Sequence, residues 1–113
     1  MRPAQRLRQR QDFAAVYRRG RPIRNDLLIM RAVRTNEPVS RFGFTTSRVV
    51  GNAVVRNRVR RRMREVIPSL PIVSGWDVVF NSRVKIATAT YDQIRSRMSD
   101  LLERSELLEE PSS

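Results

Sequence analysis

"GNAVVRNRVRRRMRE", residues 51–65, is the stretch from which the rest of the chain can be read. Gly51 breaks the preceding segment and Asn52 is a helix-capping residue. On a wheel of 3.6 residues per turn, Val55, Val59, Met63 and Val66 form one stripe. Asn57, Arg60, Arg61 and Arg64 gather on the opposite side, Arg58 sits further round, and Arg56 and Arg62 flank the stripe. Val54 is a misfit on the polar side. The spacing predicts an amphipathic helix that stops before Pro68, because proline breaks helices and disfavours helical geometry in the residue before it. Six arginines stand within the nine residues 56–64, and only Glu65 is at hand to relieve them. Like charges at i, i+3 and i+4 repel, so a merely solvated face would gain nothing from this crowding. A polyanionic partner is the economical explanation, since the guanidinium fork matches phosphate.

The charge is unevenly placed. The chain has 113 residues, 40% apolar, with a net charge of +12. Of its 23 basic residues only Lys85 is lysine, a bias that arginine-rich codons would also produce. Residues 1–64 carry 18 arginines against Asp12, Asp26 and Glu37, whereas residues 65–113 carry five cations against eight carboxylates. One part of the molecule faces a polyanion and the other does not. The length suits a single domain, here residues 1–113, with residues 1–9 and 109–113 expected to be flexible. With no histidine and no cysteine, disulfides, thiolate catalysis, histidine acid–base chemistry and zinc sites of the usual kind are excluded. No run of 18 apolar residues suggests a membrane span and no signal-peptide pattern opens the chain, so a soluble cytoplasmic protein is expected.

Outward from the basic helix, "RFGFTTS" (41–47) alternates as a half-buried strand does. Phe42, Phe44 and Thr46 would cover a core, leaving Arg41, Gly43, Thr45 and Ser47 on a polar face of small residues. "DLLIMRAV" (26–33) and "WDVVFNS" (76–82) read as further strands, and "TNEPVS" (35–40) as a turn. "DFAAVYRRG" (12–20) reads as a short helix with Phe13, Val16 and Tyr17 on one face and Gly20 as its C-terminal cap. From Tyr91, the recurrence of Ile94, Met98, Leu101 and Leu102 predicts a last amphipathic helix. The result is an α+β two-layer sandwich, a central, mostly antiparallel sheet with helices packed on one face. The order is α-β-β-β-α-β-α. A strand before the basic helix argues against helix-turn-helix DNA binding, and an open polar strand face suits RNA better.

The central motif resembles the arginine-asparagine-arginine signature of the bacterial ribonuclease P protein component. "RLRQRQDFAAVYRRGR", "RFGFTTSRVVGNAVVRNR" and "GWDVVFNSR" are similar to that family's N-terminal segment, strand-to-helix passage and last strand, so the likeness spans roughly residues 5–105. The resemblance implies a subunit that binds a large catalytic RNA and the 5′ leader of precursor tRNA and supports endonucleolytic removal of the leader. The RNA carries the chemistry with Mg2+ bound mainly by that RNA, and no residue of the protein is catalytic or a metal ligand. It implies a left-handed β-α-β crossover around the basic helix, against the usual hand. It assigns the catalytic RNA to Asn52, Arg56, Asn57, Arg58, Arg61 and Arg64, to which the helical wheel alone adds Arg60. It assigns the leader to a cleft formed by Phe13, Tyr17, Arg31, Thr45, Ser47 and Arg48. Periodicity by itself favours Phe13 and Tyr17 as a core pair, and it is the resemblance that moves them to the cleft wall. Two departures stand out: Arg31 replaces a tyrosine common in the family, and Arg48 is followed by Val49 where two basic residues are frequent. The partners expected are the catalytic RNA and precursor tRNA, with no membrane and no protein partner. Competing readings are a ribosomal-type structural RNA-binding protein and a metal-dependent nuclease; the latter needs clustered carboxylates that the sequence does not offer.

Overall fold

The computed structural model describes residues 1–110. The elements follow in the order α1 (Arg10–Arg19), β1 (Ile23–Arg24), β2 (Leu28–Arg34), β3 (Arg41–Thr45), α2 (Ala53–Val66), β4 (Trp76–Ser82) and α3 (Tyr91–Arg104), with short 3-10 turns at Pro3–Gln5, Ile67–Ser69 and Val84–Thr88. The sheet order is β1-β2-β4-β3. β1 and β4 both run antiparallel to β2, while β3 and β4 are parallel neighbours joined through α2. The expected order and the mostly antiparallel sheet are therefore present, with one parallel pair.

Local chemistry sets the helix ends. The Asn52 side chain accepts a hydrogen bond from the Val55 amide at 3.0 Å and starts α2. The chain then turns into the 3-10 segment that contains Pro68. At α3, Thr90 Oγ1 accepts from the Gln93 amide and Gln93 Oε1 from the Thr90 amide, a reciprocal capping box. Strand alternation sorts the side chains. Leu28, Met30, Phe42, Val78 and Phe80 point into the main core with Val59, Met63 and Val66 of α2 and Ile94, Met98, Leu101 and Leu102 of α3. Phe44 stacks on Phe80 with ring centroids 6.0 Å apart. Thr46 is buried as expected and shares a hydrogen bond with Ser82 at 3.0 Å.

Two expectations need correction. The helices do not all lie on one sheet face. α2 and α3 cover one side, and α1 seats Val16 and the half-buried Phe13 against Val33 and Val79 on the other. These are the residues that alternate out of phase with the main core, so two apolar positions on the supposedly open face give α1 its bed. Nor does the N-terminal segment project freely. Arg6 forms a parallel bridge with Phe42, the Leu7 amide donates to the Phe42 carbonyl at 3.0 Å, and Leu7 is buried beneath α1. The arm thus covers the outer edge of β3, which would otherwise expose unpaired backbone groups. At the other end, Leu108 bridges Ile72 and the Glu109 amide donates to the Pro71 carbonyl at 2.7 Å. The rest of the expected tail, 111–113, lies outside the described residues.

Gly20 ends α1, but not through a left-handed cap: its φ is −85°. A side chain there would place Cβ 2.6 Å from the Val16 carbonyl oxygen and 3.1 Å from Arg31 Cβ, so glycine is needed for the close approach of α1 to β2. Gly20→Ala should lower stability by about 1–3 kcal/mol, the usual cost of overpacking, read as a lower urea midpoint; an unchanged midpoint would mean that α1 can lift without cost.

The turn before β2 is tied to α3. Asp26 accepts from Arg97 at 2.7 Å and lies 3.6 Å from Lys85 Nζ. The Arg97 hydrogen bond leads the effects that hold the Asp26 carboxyl below its ordinary value of 3.8. Its contribution to stability is full above that value and is lost as pH falls through the lower folded one. Asp26→Asn should accordingly flatten the acid side of the stability–pH curve and leave its shape near neutrality unchanged, as followed by thermal melts in a pH series.

Candidate nucleic-acid interface

Two surfaces carry the residues singled out in the sequence. The first is the outer side of α2. Arg61 is largely exposed and lies 3.9 Å from Glu65 one turn on. Asn57 is exposed and accepts from Arg60 Nη2 at 2.5 Å, which aims that guanidinium along the helix. Arg56 and Arg64 are half-buried. Burial, followed by the neighbouring charges of Arg6 and Arg60, holds Arg64 below the usual arginine range. Arg6, brought in by the docked arm, shares one depression with Arg61 and Arg64, and Glu65 is the carboxylate that lines it. Converging cations of this kind raise the local potential and leave donors for an anion.

Arg58 behaves differently from the other candidates. Its Nη2 donates to the Ala87 carbonyl at 2.8 Å, and Arg62 Nη1 donates to the Ala89 carbonyl, also at 2.8 Å. Both therefore hold α2 against the 3-10 segment that leads into α3. Nε of Arg56 and of Arg58 lies buried with no hydrogen-bond partner among the described residues. Asn52 is exposed at the start of α2, where its side chain already caps the helix. The wheel set Arg58 further round than Arg61 but could not assign it a partner, because carbonyls brought by another part of the chain do not appear in a one-helix projection.

The second surface is the sheet face beside α1. The aromatic pair divides between the two readings given above. Phe13 packs inward over Gly43: a Cβ on that glycine would lie 2.5 Å from the Phe13 ring. Tyr17 remains 41% exposed. The Arg31 guanidinium lies over its ring, 5.0 Å from the centroid. Asn81 of β4 joins the group. Its Oδ1 accepts from Arg31 Nη1 at 3.1 Å, and its Nδ2 donates to the Tyr17 hydroxyl at 2.5 Å and to Thr45 Oγ1. Tyr17, Arg31 and Thr45 are thus brought together, whereas Ser47 and Arg48 lie exposed on the turn that follows β3.

Asn81 and Arg6 escaped the sequence reading. Asn81 carried a signal: in "WDVVFNS" it alternates with Phe80 and so shares the face of Val79. Arg6 carried none, since its segment has no periodicity. Arg41 on the same sheet face is structural. It makes a two-pronged pair with buried Asp77, at 2.9 and 2.7 Å, and lies 3.6 Å from Asp12 of α1, which joins three elements; the Asp77 hydrogen bond raises the Arg41 pKa.

Arg58→Met with Arg62→Met should cost about 1–3 kcal/mol in stability, since two charge-assisted hydrogen bonds are removed. Arg61→Met with Arg64→Met should change stability by no more than about 0.5 kcal/mol. The second pair should instead flatten the salt dependence of RNA binding, by about 0.7–0.9 in the log–log slope for each phosphate that is no longer neutralised. Melting curves and a salt titration of both double variants measure the contrast; equal reductions in stability would contradict the division of roles.

With this geometry in hand, comparisons with known proteins are direct. The family model described as Ribonuclease P matches residues 1–106. The chain is 39% identical over 104 residues to the ribonuclease P protein component of Alkaliphilus metalliredigens (strain QYMF), a match that covers 90% of this chain and 94% of the relative. The solved RNase P protein from Thermotoga maritima superposes with a TM-score of 0.80 at 28% identity, covering 88% of this chain and 96% of the other. The Staphylococcus aureus RNase P protein gives 0.84 at 23% identity, a likeness of fold, over 93% and 98% of the two chains. By a match that runs through nearly the whole sequence, this chain belongs to the ribonuclease P protein family.

Proposed function

We propose that this chain is the protein subunit of ribonuclease P, binding the catalytic RNA through the basic side of α2 and the 5′ leader of precursor tRNA in the cleft beside α1. Family membership supports the first part. The single observation that carries the second is Tyr17, an aromatic side chain left 41% exposed yet held in place by Arg31 and Asn81. An unpaired base can stack on such a ring, and stacking is tolerant of sequence. The guanidiniums of Arg56, Arg60, Arg61 and Arg64 meet phosphates, which gives affinity and orientation without reading sequence. Exposed Asn52 and Asn57 lie on the same contact, and Arg58 contributes by holding α2 in position. Ser47 and Arg48, on the turn between cleft and helix, border both surfaces.

The protein's role in leader removal is then to position substrate, and the endonucleolytic step belongs to the RNA subunit. Among the described residues no group of three or more histidine, cysteine or acidic side chains could hold a metal ion. In this reading the RNA holds the magnesium ion. A cytoplasmic setting belongs to the same reading, because the RNA partners are there.

Tyr17→Ala separates this function from plain core packing. It should leave the melting temperature nearly intact and weaken precursor tRNA binding by about 1–3 kcal/mol, the worth of one stacked base. Mature tRNA, which has no leader, should bind as before. Equal weakening of both tRNAs, together with a drop in stability of about 3–5 kcal/mol, would assign Tyr17 to the core instead.

A further inference from the structure

The hydrogen-bond polarity around Asn81 decides what the cleft floor can recognise. A guanidinium has donors and no acceptor, so the Asn81 atom facing Arg31 must be its oxygen. The amide nitrogen then faces Tyr17 and Thr45, and its two hydrogens are used on their hydroxyl oxygens. Each hydroxyl accepts from Asn81, so its own proton is free to point away, toward a ligand. The guanidinium of Arg31 gives one N–H to Asn81 and keeps the rest. Tyr17 O–H, Thr45 O–H and Arg31 N–H thus present donors beside an exposed aromatic ring, with the acceptor of Asn81 already engaged.

We infer that Asn81 turns the hydroxyl protons of this floor outward, so that together with the Arg31 N–H groups the floor favours guanine over adenine at the leader nucleotide stacked on Tyr17. The inference rests on the reading of this cleft as the leader site. Guanine offers two adjacent acceptors, O6 and N7, the edge that arginine contacts in bidentate fashion. Adenine offers N7 beside an amino donor, and that amino group would face the Arg31 guanidinium, which has no acceptor to offer it. A buried donor left without an acceptor is costly, so selectivity comes from rejection of adenine as well as attraction of guanine. Asn81 does not need to touch the base; it is a positioning residue that sets the direction of its neighbours' protons.

The test uses the holoenzyme reconstituted with its catalytic RNA and a series of precursor tRNAs. In each, one leader position is guanine or adenine and the rest is held constant. One position should show guanine bound about tenfold more tightly than adenine, the value of a good bidentate contact. Asn81→Asp keeps the shape but turns the amide nitrogen into an acceptor, so both hydroxyl protons swing inward to the carboxylate. The guanine preference should then fall to about twofold or less, while mature tRNA binds as before. Arg31→Met should abolish it as well, and carries the test if the aspartate variant folds poorly. No position with a guanine preference, or a preference that survives both substitutions, overturns the inference. So does a reduced salt slope in Arg31→Met with no base preference, which would place a phosphate at these donors. If precursor tRNA binds no more tightly than mature tRNA, the leader reading itself has failed. If it binds more tightly with any base, only the guanine inference has.

Discussion

The seat of α1 on the sheet is the constraint on which both surfaces depend. Gly20 and Gly43 let helix and sheet approach at distances that a Cβ would not permit, and Phe13 fills the space above Gly43. Val16 and Leu7 complete a small second core with Val33 and Val79. Arg41 then ties α1 to β3 and β4 through Asp12 and Asp77. With the helix held there, Tyr17 cannot follow Phe13 inward and is left at the rim. The same packing docks the N-terminal arm, which carries Arg6 to the side of α2. One apolar cluster thus shapes the cleft and adds a charge to the basic face.

The arginines do three different jobs, and partner geometry separates them. Arg41 and Arg97 are neutralised by carboxylates. Arg58 and Arg62 are spent on backbone carbonyls that the 3-10 segment leaves open, which fixes the angle of α2 against the rest of the fold. Arg6, Arg61 and Arg64 converge with Glu65 as the carboxylate beside them. Their like charges repel, and Glu65 relieves that repulsion only in part. The second half of the chain carries more carboxylates than cations, so the positive charge belongs to the first half.

Sharing a fold with ribonuclease P proteins does not fix the chemistry of the cleft. Arg31 and Asn81 set its floor: the guanidinium, the amide and the Tyr17 and Thr45 hydroxyls form one hydrogen-bonded group beside the exposed ring. Selectivity at such a floor comes from the direction of hydroxyl protons, which a neighbouring side chain can set without touching the ligand.

By itself the sequence determined the elements and their faces. The 3.6-residue stripe of α2 placed Val59, Met63 and Val66, and the alternation of "RFGFTTS" placed Phe42 and Thr46, on the buried side, because periodicity encodes which side is dry. The two-residue strand β1 was too short to carry a period. It also determined the candidate surfaces, since like charge cannot be hidden by folding. What the tertiary structure decided was which chemically equivalent residues are free. Phe13 and Tyr17 look alike on a wheel, and Arg58 only sits further round than Arg61, yet Phe13 and Arg58 are spent inside the molecule. Their partners, Gly43 and Ala87, lie about thirty residues away in sequence, and only long-range packing brings them together. The opposite-face position of α1 was hidden for the same reason. Alternation identifies two faces, but which helix covers each is settled by the volume and the close approaches that the assembled sheet allows.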